Sequence, residues 1–238
     1  MIKTVIFDID GTMYDYTAGN RRGLEAVMDY CLNHLGMTGE MLMPVMGEAG
    51  KRLEERLGND NAAIHNRLLR YQCMLELLDK PVFPHALAMA AAYWGTLLEG
   101  MSPQPGLLEF MEDLKSRGME IGVATNMTAY MQYKKLEKLG VTSYINWLVT
   151  SEEAGAEKPS PMFYEICLEK SRCRADECLF IGDSLKGDVQ APRERGMHAL
   201  WYCPEEVPGE NGSENHRFIR SFEECLDERF WKNFKIPM

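Results

Sequence analysis

Val5-Ile6-Phe7-Asp8-Ile9-Asp10-Gly11-Thr12 is the stretch on which the reading of this chain turns. Its apolar run is short and ends at a turn signal, which reads as a buried strand. Asp8 and Asp10 lie two apart, so an extended backbone projects both carboxylates the same way. Two carboxylates that close repel each other unless a cation or a shared proton intervenes. An Asp-x-Asp pair alone is more often a solvated turn than a site, so the rest of the chain must decide.

Residues from about 18 to 100 read as almost wholly helical, with Leu24, Val27, Met28, Cys31 and Leu35 at helical spacing and Gly36 as a stop. Leu68, Leu69, Met74, Leu75 and Leu78 continue the pattern up to Pro81 and Pro84, and a further apolar stretch runs from Ala86 to Leu98. After Ser102-Pro103-Gln104-Pro105-Gly106 the texture becomes an alternation. Helices over 107–117, 129–139, 161–170 and 189–195 are expected to separate strands at 120–124, 147–149, 178–181 and 198–201. Strands alternating with helices imply an α/β fold, a parallel sheet with helices on both faces. The helical insert after the first strand then forms a separate lid. Pro204 to Asn215 reads as a polar loop, and 222–234 as a packed terminal helix.

Ligands of an open parallel sheet bind beyond the carboxyl ends of its strands. The chemistry-bearing residues fall at those ends: Asp8 and Asp10, Thr125 and Asn126, Glu157 and Lys158, Asp183 and Asp188. Separate segments thus deliver carboxylates, a hydroxyl, an amide and a lysine to one edge. A cluster so acidic suits Mg²⁺, a hard cation that takes oxygen ligands and keeps its waters.

Asp8-Ile9-Asp10-Gly11-Thr12, Thr125-Asn126, Lys158-Pro159, and Gly182-Asp183-Ser184 followed by Asp188 resemble the ordered motifs of the haloacid dehalogenase-like (HAD) hydrolase superfamily. The resemblance runs from residue 1 to about 203, and the helical segment is similar to the superfamily's all-helical cap. It implies a Rossmann-like catalytic core over 1–16 and 101–238 with an inserted helical cap over 17–100. It also implies a phosphatase working through an aspartyl phosphate. Asp8 is expected to attack phosphorus, and Asp10 to protonate the leaving oxygen and then activate water. Asp8, the Asp10 backbone carbonyl and Asp183 are expected to bind Mg²⁺. Asp188 is expected either to reach the metal through water or to hold Lys158. Thr125, Lys158 and the Asn126 amide are expected to hold the phosphoryl oxygens, with Gly11 beside the substrate. Dehalogenases and phosphonate-cleaving members lack an acid at the position of Asp10, so its presence favours phosphate-ester chemistry.

The substrate is less legible. Arg21 and Arg22, near the core–cap hinge, are candidates for reading the leaving group. Tyr71, Tyr93 and Trp94 sit at helical spacing and read as core. His65, His85 and His198 read as structural or surface residues. The stretch Thr125 to Thr128 with Gln132-Tyr133-Lys134-Lys135-Leu136 is similar to the helical-cap subgroup containing nucleotidases and phosphoglycolate phosphatase-like members. A nucleoside monophosphate, a sugar phosphate or another small phosphorylated metabolite is therefore expected. A phosphomutase of the same superfamily and a non-catalytic binding protein on this scaffold are the competing readings.

Bulk properties set the outer bounds. With 238 residues, 45% hydrophobic and 26% charged, the chain is long enough to bury a sizeable core without staples. A formal net charge of −10 argues against general nucleic-acid or anionic-membrane binding, since both need a basic face. Seven cysteines without CxxC pairing read as reduced thiols of a cytoplasmic protein. The 17 methionines imply an adaptable core, and nothing in the sequence sets the oligomeric state.

Overall fold

A computed structural model of the chain describes residues 1–204 and 217–232. Strand β1, Thr4–Phe7, is buried along its whole length, as the apolar run requires. It lies in a six-stranded parallel sheet of order β3-β2-β1-β4-β5-β6, with β2 at Glu120–Thr125, β3 at Trp147–Thr150, β4 at Cys178–Gly182, β5 at His198–Tyr202 and β6 at Phe218–Ile219. Successive side chains of a strand point to opposite faces. Val5 and Phe7 accordingly join one core layer with Phe110 and Phe222, while Ile6 joins the other with Phe163, Tyr164 and Phe180.

Four helices follow β1: α1 at Tyr16–Leu35, α2 at Gly39–Leu57, α3 at Arg67–Leu77 and α4 at His85–Glu99. Asp15 caps α1 by accepting from the Ala18 N–H at 2.9 Å, and Gly36 ends it at φ 64°, the left-handed conformation that glycine adopts without a Cβ penalty. α1 packs chiefly on α4, and α2 on α3. Tyr71 and Tyr93 are buried between them, as the helical spacing implies. Helices α5 (Leu107–Ser116), α6 (Ala129–Leu139), α7 (Ser151–Ala154), α8 (Pro161–Ser171) and α9 (Ala191–Glu194) alternate with the strands. This is the α/β fold the alternation implies.

Three local expectations need correction. The helix expected over 189–195 begins earlier, as a wide turn at Leu185–Gln190 that runs into α9. That turn brings Asp188 back onto the Ser184 N–H, at 2.9 Å. The terminal helix expected over 222–234 is instead a turn at Phe222–Leu226 and a short helix, α10, at Glu228–Lys232. Asp227 interrupts it with extended backbone and accepts from the Arg229 N–H at 2.8 Å, starting α10 afresh. Both pieces still pack, through Phe222 and Trp231 stacked on Phe110. Strand β6 has no sequence counterpart above, being too short to show a period. Residues 205–215 of the expected loop and 233–234 of the expected helix lie outside the described residues. No helix among the described residues is long and apolar enough to cross a membrane.

Candidate active site

The strand order reverses between β1 and β4, where an open sheet presents its ligand crevice. Asp8 follows β1 and Asp183 follows β4, so their positions come from the sheet itself. The Asp8 N–H extends the ladder by donating to the Ile181 carbonyl at 2.9 Å. Buried Thr12 ties the two loops together: its hydroxyl donates to Asp8 Oδ2 at 3.2 Å and accepts from the Asp183 N–H at 3.0 Å. Gly11, at φ 85°, lets this loop turn under Asp183, since a Cβ there would stand 2.3 Å from Asp183 Oδ2.

Lys158 reaches the carboxylates of this edge and is almost fully buried. Its Nζ donates to Asp8 Oδ1 and Asp188 Oδ1, both at 2.7 Å, and to the Ala124 carbonyl at 3.1 Å. Burial alone pulls the ammonium down, but Asp188 and Asp8 outweigh it and hold Lys158 well above the ordinary lysine range. Asp188 therefore contacts Lys158 directly, one of the two roles the sequence leaves open for it.

Asp8, Asp183 and Asp188 each offer an oxygen within 4.8 Å of the others. Three carboxylates against one lysine leave the cluster short of positive charge. Burial, reinforced by Asp188 and Asp183 and opposed by Lys158, raises Asp8 to about 8. Burial and Asp188 likewise push Asp183 up to about 6. An all-oxygen donor set with surplus negative charge fits Mg²⁺.

The sign of the pH dependence follows. An unfolded Asp8 loses its proton near 3.8, whereas the folded one keeps it to about 8. Between these values the unfolded state binds fewer protons, so Asp8 makes the metal-free fold less stable as pH rises. A divalent cation binds the deprotonated carboxylates, which ties its affinity to proton release. The increase in Tm produced by Mg²⁺ is therefore expected to be larger at about pH 8 than at about pH 5.5. Equal increases in thermal melts at the two pH values would contradict this account of the cluster.

Asp10 is held differently. Its carboxylate accepts from Lys135 Nζ at 2.6 and 2.7 Å, from Gln132 Nε2 at 3.0 Å, and from the Tyr14 hydroxyl. Burial pushes Asp10 up, but Lys135, helped by the Tyr14 and Gln132 hydrogen bonds, prevails and holds it below the usual carboxylate range. Its side chain is not part of the group of three carboxylates formed by Asp8, Asp183 and Asp188. Lys135 is fully buried and was not among the expected site residues. The signal for it was present: Gln132, Lys135, Leu136 and Leu139 form the buried stripe of α6, and a lysine on such a stripe needs an anion.

Thr125 and Asn126 reach the same pocket, a cavity of about 250 Å³ that also includes Asp8, Asp10, Lys158, Asp183 and Asp188. The Thr125 hydroxyl accepts from Gln132 Nε2 at 2.7 Å, and Asn126 Oδ1 accepts from the Lys158 N–H at 2.9 Å. Glu157 stays out of the pocket. It accepts from Asn126 Nδ2 at 3.3 Å and pairs with His65 at 2.8 Å, joining the helical segment to the sheet. Of the two arginines expected near the leaving group, Arg22 is engaged elsewhere, donating to the Gly100 carbonyl at 2.9 Å where chain enters and leaves the helical segment. Arg21 lines a second cavity beside Gly11, Gln104 and Trp201, which borders the pocket at Asp183.

The family model described as "Haloacid dehalogenase-like hydrolase" matches residues 5–202. The chain is 34% identical over 213 residues to ribulose-1,5-bisphosphate 5-phosphatase of Halopiger xanaduensis, covering 87% of each protein. It is 28% identical to glyceraldehyde 3-phosphate phosphatase of Methanothermobacter thermautotrophicus, over 84% of this chain and 85% of that protein. Its fold is similar to the HAD-hydrolase YfnB of Bacillus subtilis, a magnesium-bound crystal structure, with a TM-score of 0.70, 21% identity and 99% of both chains covered.

Proposed function

Because this chain belongs to the haloacid dehalogenase-like hydrolase family, and its buried Asp8 stands in a carboxylate cluster beside Lys158, we propose that it is a phosphoric monoester hydrolase with Asp8 as nucleophile. The observation that carries this reading is the division of labour between two carboxylates. Asp8 sits with Asp183, Asp188 and Lys158, while Asp10 is held apart by Lys135, Gln132 and Tyr14. The two carboxylates thus stand among different partners; a divalent cation held by the cluster would keep Asp8 as the anion that a nucleophile must be.

In the first half-reaction an Asp8 oxygen forms a bond to phosphorus as the ester P–O bond breaks, and the leaving oxygen takes a proton from Asp10. Without substrate, Asp10 is held as the anion, and an arriving phosphate dianion favours its protonation. In the second half-reaction water attacks phosphorus, gives a proton to Asp10 and releases Asp8. Thr125, the Asn126 N–H and Lys158 hold the phosphoryl oxygens, and Gly11 shapes the turn that carries Asp10 past Asp183. Asp8, Asp183, Asp188 and the Asp10 carbonyl would hold Mg²⁺, whose charge offsets the repulsion between Asp8 and phosphate. Helices α1 to α4 act as the cap over 17–100 that excludes water from this chemistry.

A small phosphorylated metabolite is the substrate class, in keeping with the sugar-phosphate names of the relatives. None of the seven cysteines is in a disulfide, which suits a reducing, cytoplasmic setting. The direct test is phosphate release from a panel of phosphomonoesters with Mg²⁺ or with EDTA. Release that requires Mg²⁺ is expected. Metal-loaded, folded protein that releases nothing from any ester would turn the reading toward a mutase or a binding protein.

A further inference from the structure

Gln132 lies one turn into α6, is fully buried, and reaches its amide back over the carboxyl end of β2. The loop between them is pinned on its far side, where the Met127 N–H donates to the Ser151 hydroxyl at 2.8 Å and the Ala129 N–H to Glu152 at 2.7 Å. The Gln132 nitrogen then stands within hydrogen-bond distance of three oxygens: Thr125 Oγ1 at 2.7 Å, the Asn126 carbonyl at 2.8 Å and Asp10 Oδ2 at 3.0 Å. The amide oxygen, by contrast, is buried with no hydrogen-bond partner among the described residues.

A carbonyl and a carboxylate only accept, so turning the amide over would set its oxygen against both. The nitrogen is therefore held inward, although a bare buried oxygen is the consequence. Packing alone does not call for this, since a methionine would fill the same place with no polar group to satisfy.

Counting hydrogens shows what the nitrogen does. An amide has two N–H hydrogens, and three oxygens face them. The Asp10 carboxylate and the Asn126 carbonyl have nothing to donate. Thr125 has its own proton, which it gives to the Asn126 carbonyl at 3.2 Å. That carbonyl thus has two donors, Thr125 and Gln132, and keeps one if the other turns away. The Thr125 hydroxyl is then able to swing its proton into the pocket, while Gln132 holds its oxygen in place.

We propose that Gln132 is a positioning residue for phosphoryl binding, which holds the Thr125 hydroxyl by its oxygen so that the hydroxyl proton is given to the phosphoryl group. This rests on the phosphatase reading above. Without the Gln132 amide the Thr125 proton stays on the Asn126 carbonyl, whose second donor is gone.

The test is a double-variant cycle of Gln132→Met and Thr125→Val, scored by kcat/KM for 4-nitrophenyl phosphate. The leaving group of this ester departs without help from an acid, so the contact of Gln132 with Asp10 does not enter the score. Gln132→Met is expected to lower kcat/KM by about tenfold in the wild-type background, and by less than about threefold in the Thr125→Val background. Equal losses in the two backgrounds would overturn the proposal, because a merely structural Gln132 costs the same with or without the hydroxyl. Calorimetric binding of inorganic phosphate in the presence of Mg²⁺ runs the same cycle without turnover. A weakening on Gln132→Met that disappears in the Thr125→Val background is expected, and one that persists there counts against Gln132. Wild-type protein that binds phosphate but hydrolyses no ester counts against the phosphatase instead, and the phosphate cycle still judges Gln132. Should Gln132→Met fail to fold, Gln132→Asn, which keeps the amide and withdraws it by one methylene, takes its place in both cycles under the same criterion.

Discussion

Asp8→Asn is expected to reduce phosphate release from every ester by at least about 10⁴-fold, the scale seen when a covalent nucleophile is lost. An amide is neutral and a far weaker nucleophile than a carboxylate, while its shape is nearly the same. The fold should therefore survive. Asp8 accepts from Lys158 and Thr12, and an Asn oxygen can accept from one of them. The substitution also removes a carboxylate from a cluster that repels itself, so the metal-free protein is expected to be no less stable than wild type near neutral pH. Activity collapses while stability holds, a pattern that a merely structural Asp8 would not give. Residual activity within about 100-fold of wild type would mean that another group attacks phosphorus.

Asp10→Asn is expected to lower turnover by about 10²- to 10⁴-fold, the usual contribution of a positioned acid–base group. Here the fold should suffer as well, because Lys135 is left fully buried without its anion. Removing one partner of a buried ion pair costs about 3–5 kcal/mol. Lys135→Met alone strands Asp10 between Gln132 and Tyr14 and should also destabilise. The double variant removes both charges, so it is expected to recover much of the stability lost in either single change. Its turnover should stay as low as that of Asp10→Asn. Urea unfolding and turnover across this cycle separate the two contributions. Strictly additive stability losses would show that Asp10 and Lys135 do not depend on each other.

The two halves of this site differ in how visible they are in sequence. Asp8, Asp183, Thr125 and Lys158 each follow a short apolar strand or its loop, and a parallel sheet places strand ends side by side. One-dimensional order is then enough to bring them to one edge. Asp10 and Lys135 are 125 residues apart, and no local pattern joins them. What could be seen is a charge on a buried helical stripe, at Lys135 on α6 and again at Arg67, which shares a face with Tyr71, Met74 and Leu75 on α3. Such a charge states that a partner exists without naming it. Arg21 and Arg22 are adjacent to the hinge and to each other, and neighbours in a helix face different ways. Arg22 meets the Gly100 carbonyl, and Arg21 lines a cavity that reaches Asp183. The break at Asp227 leaves no mark in the sequence, because an aspartate is tolerated within a helix and acts as a cap only once its side chain turns back to the backbone.

The central claim is a phosphoryl group bound covalently to Asp8, and its most direct test is to trap it. The Asp10→Asn protein, slowed in the water-activated step, is mixed with Mg²⁺ and a ³²P-labelled aryl phosphate whose leaving group departs without help from an acid, quenched in acid and digested. Label is expected on the peptide spanning residues 4–21, at Asp8, and to be lost on treatment with hydroxylamine, as an acyl phosphate requires. Phosphate release without labelled protein, or label on any other residue, would contradict the mechanism.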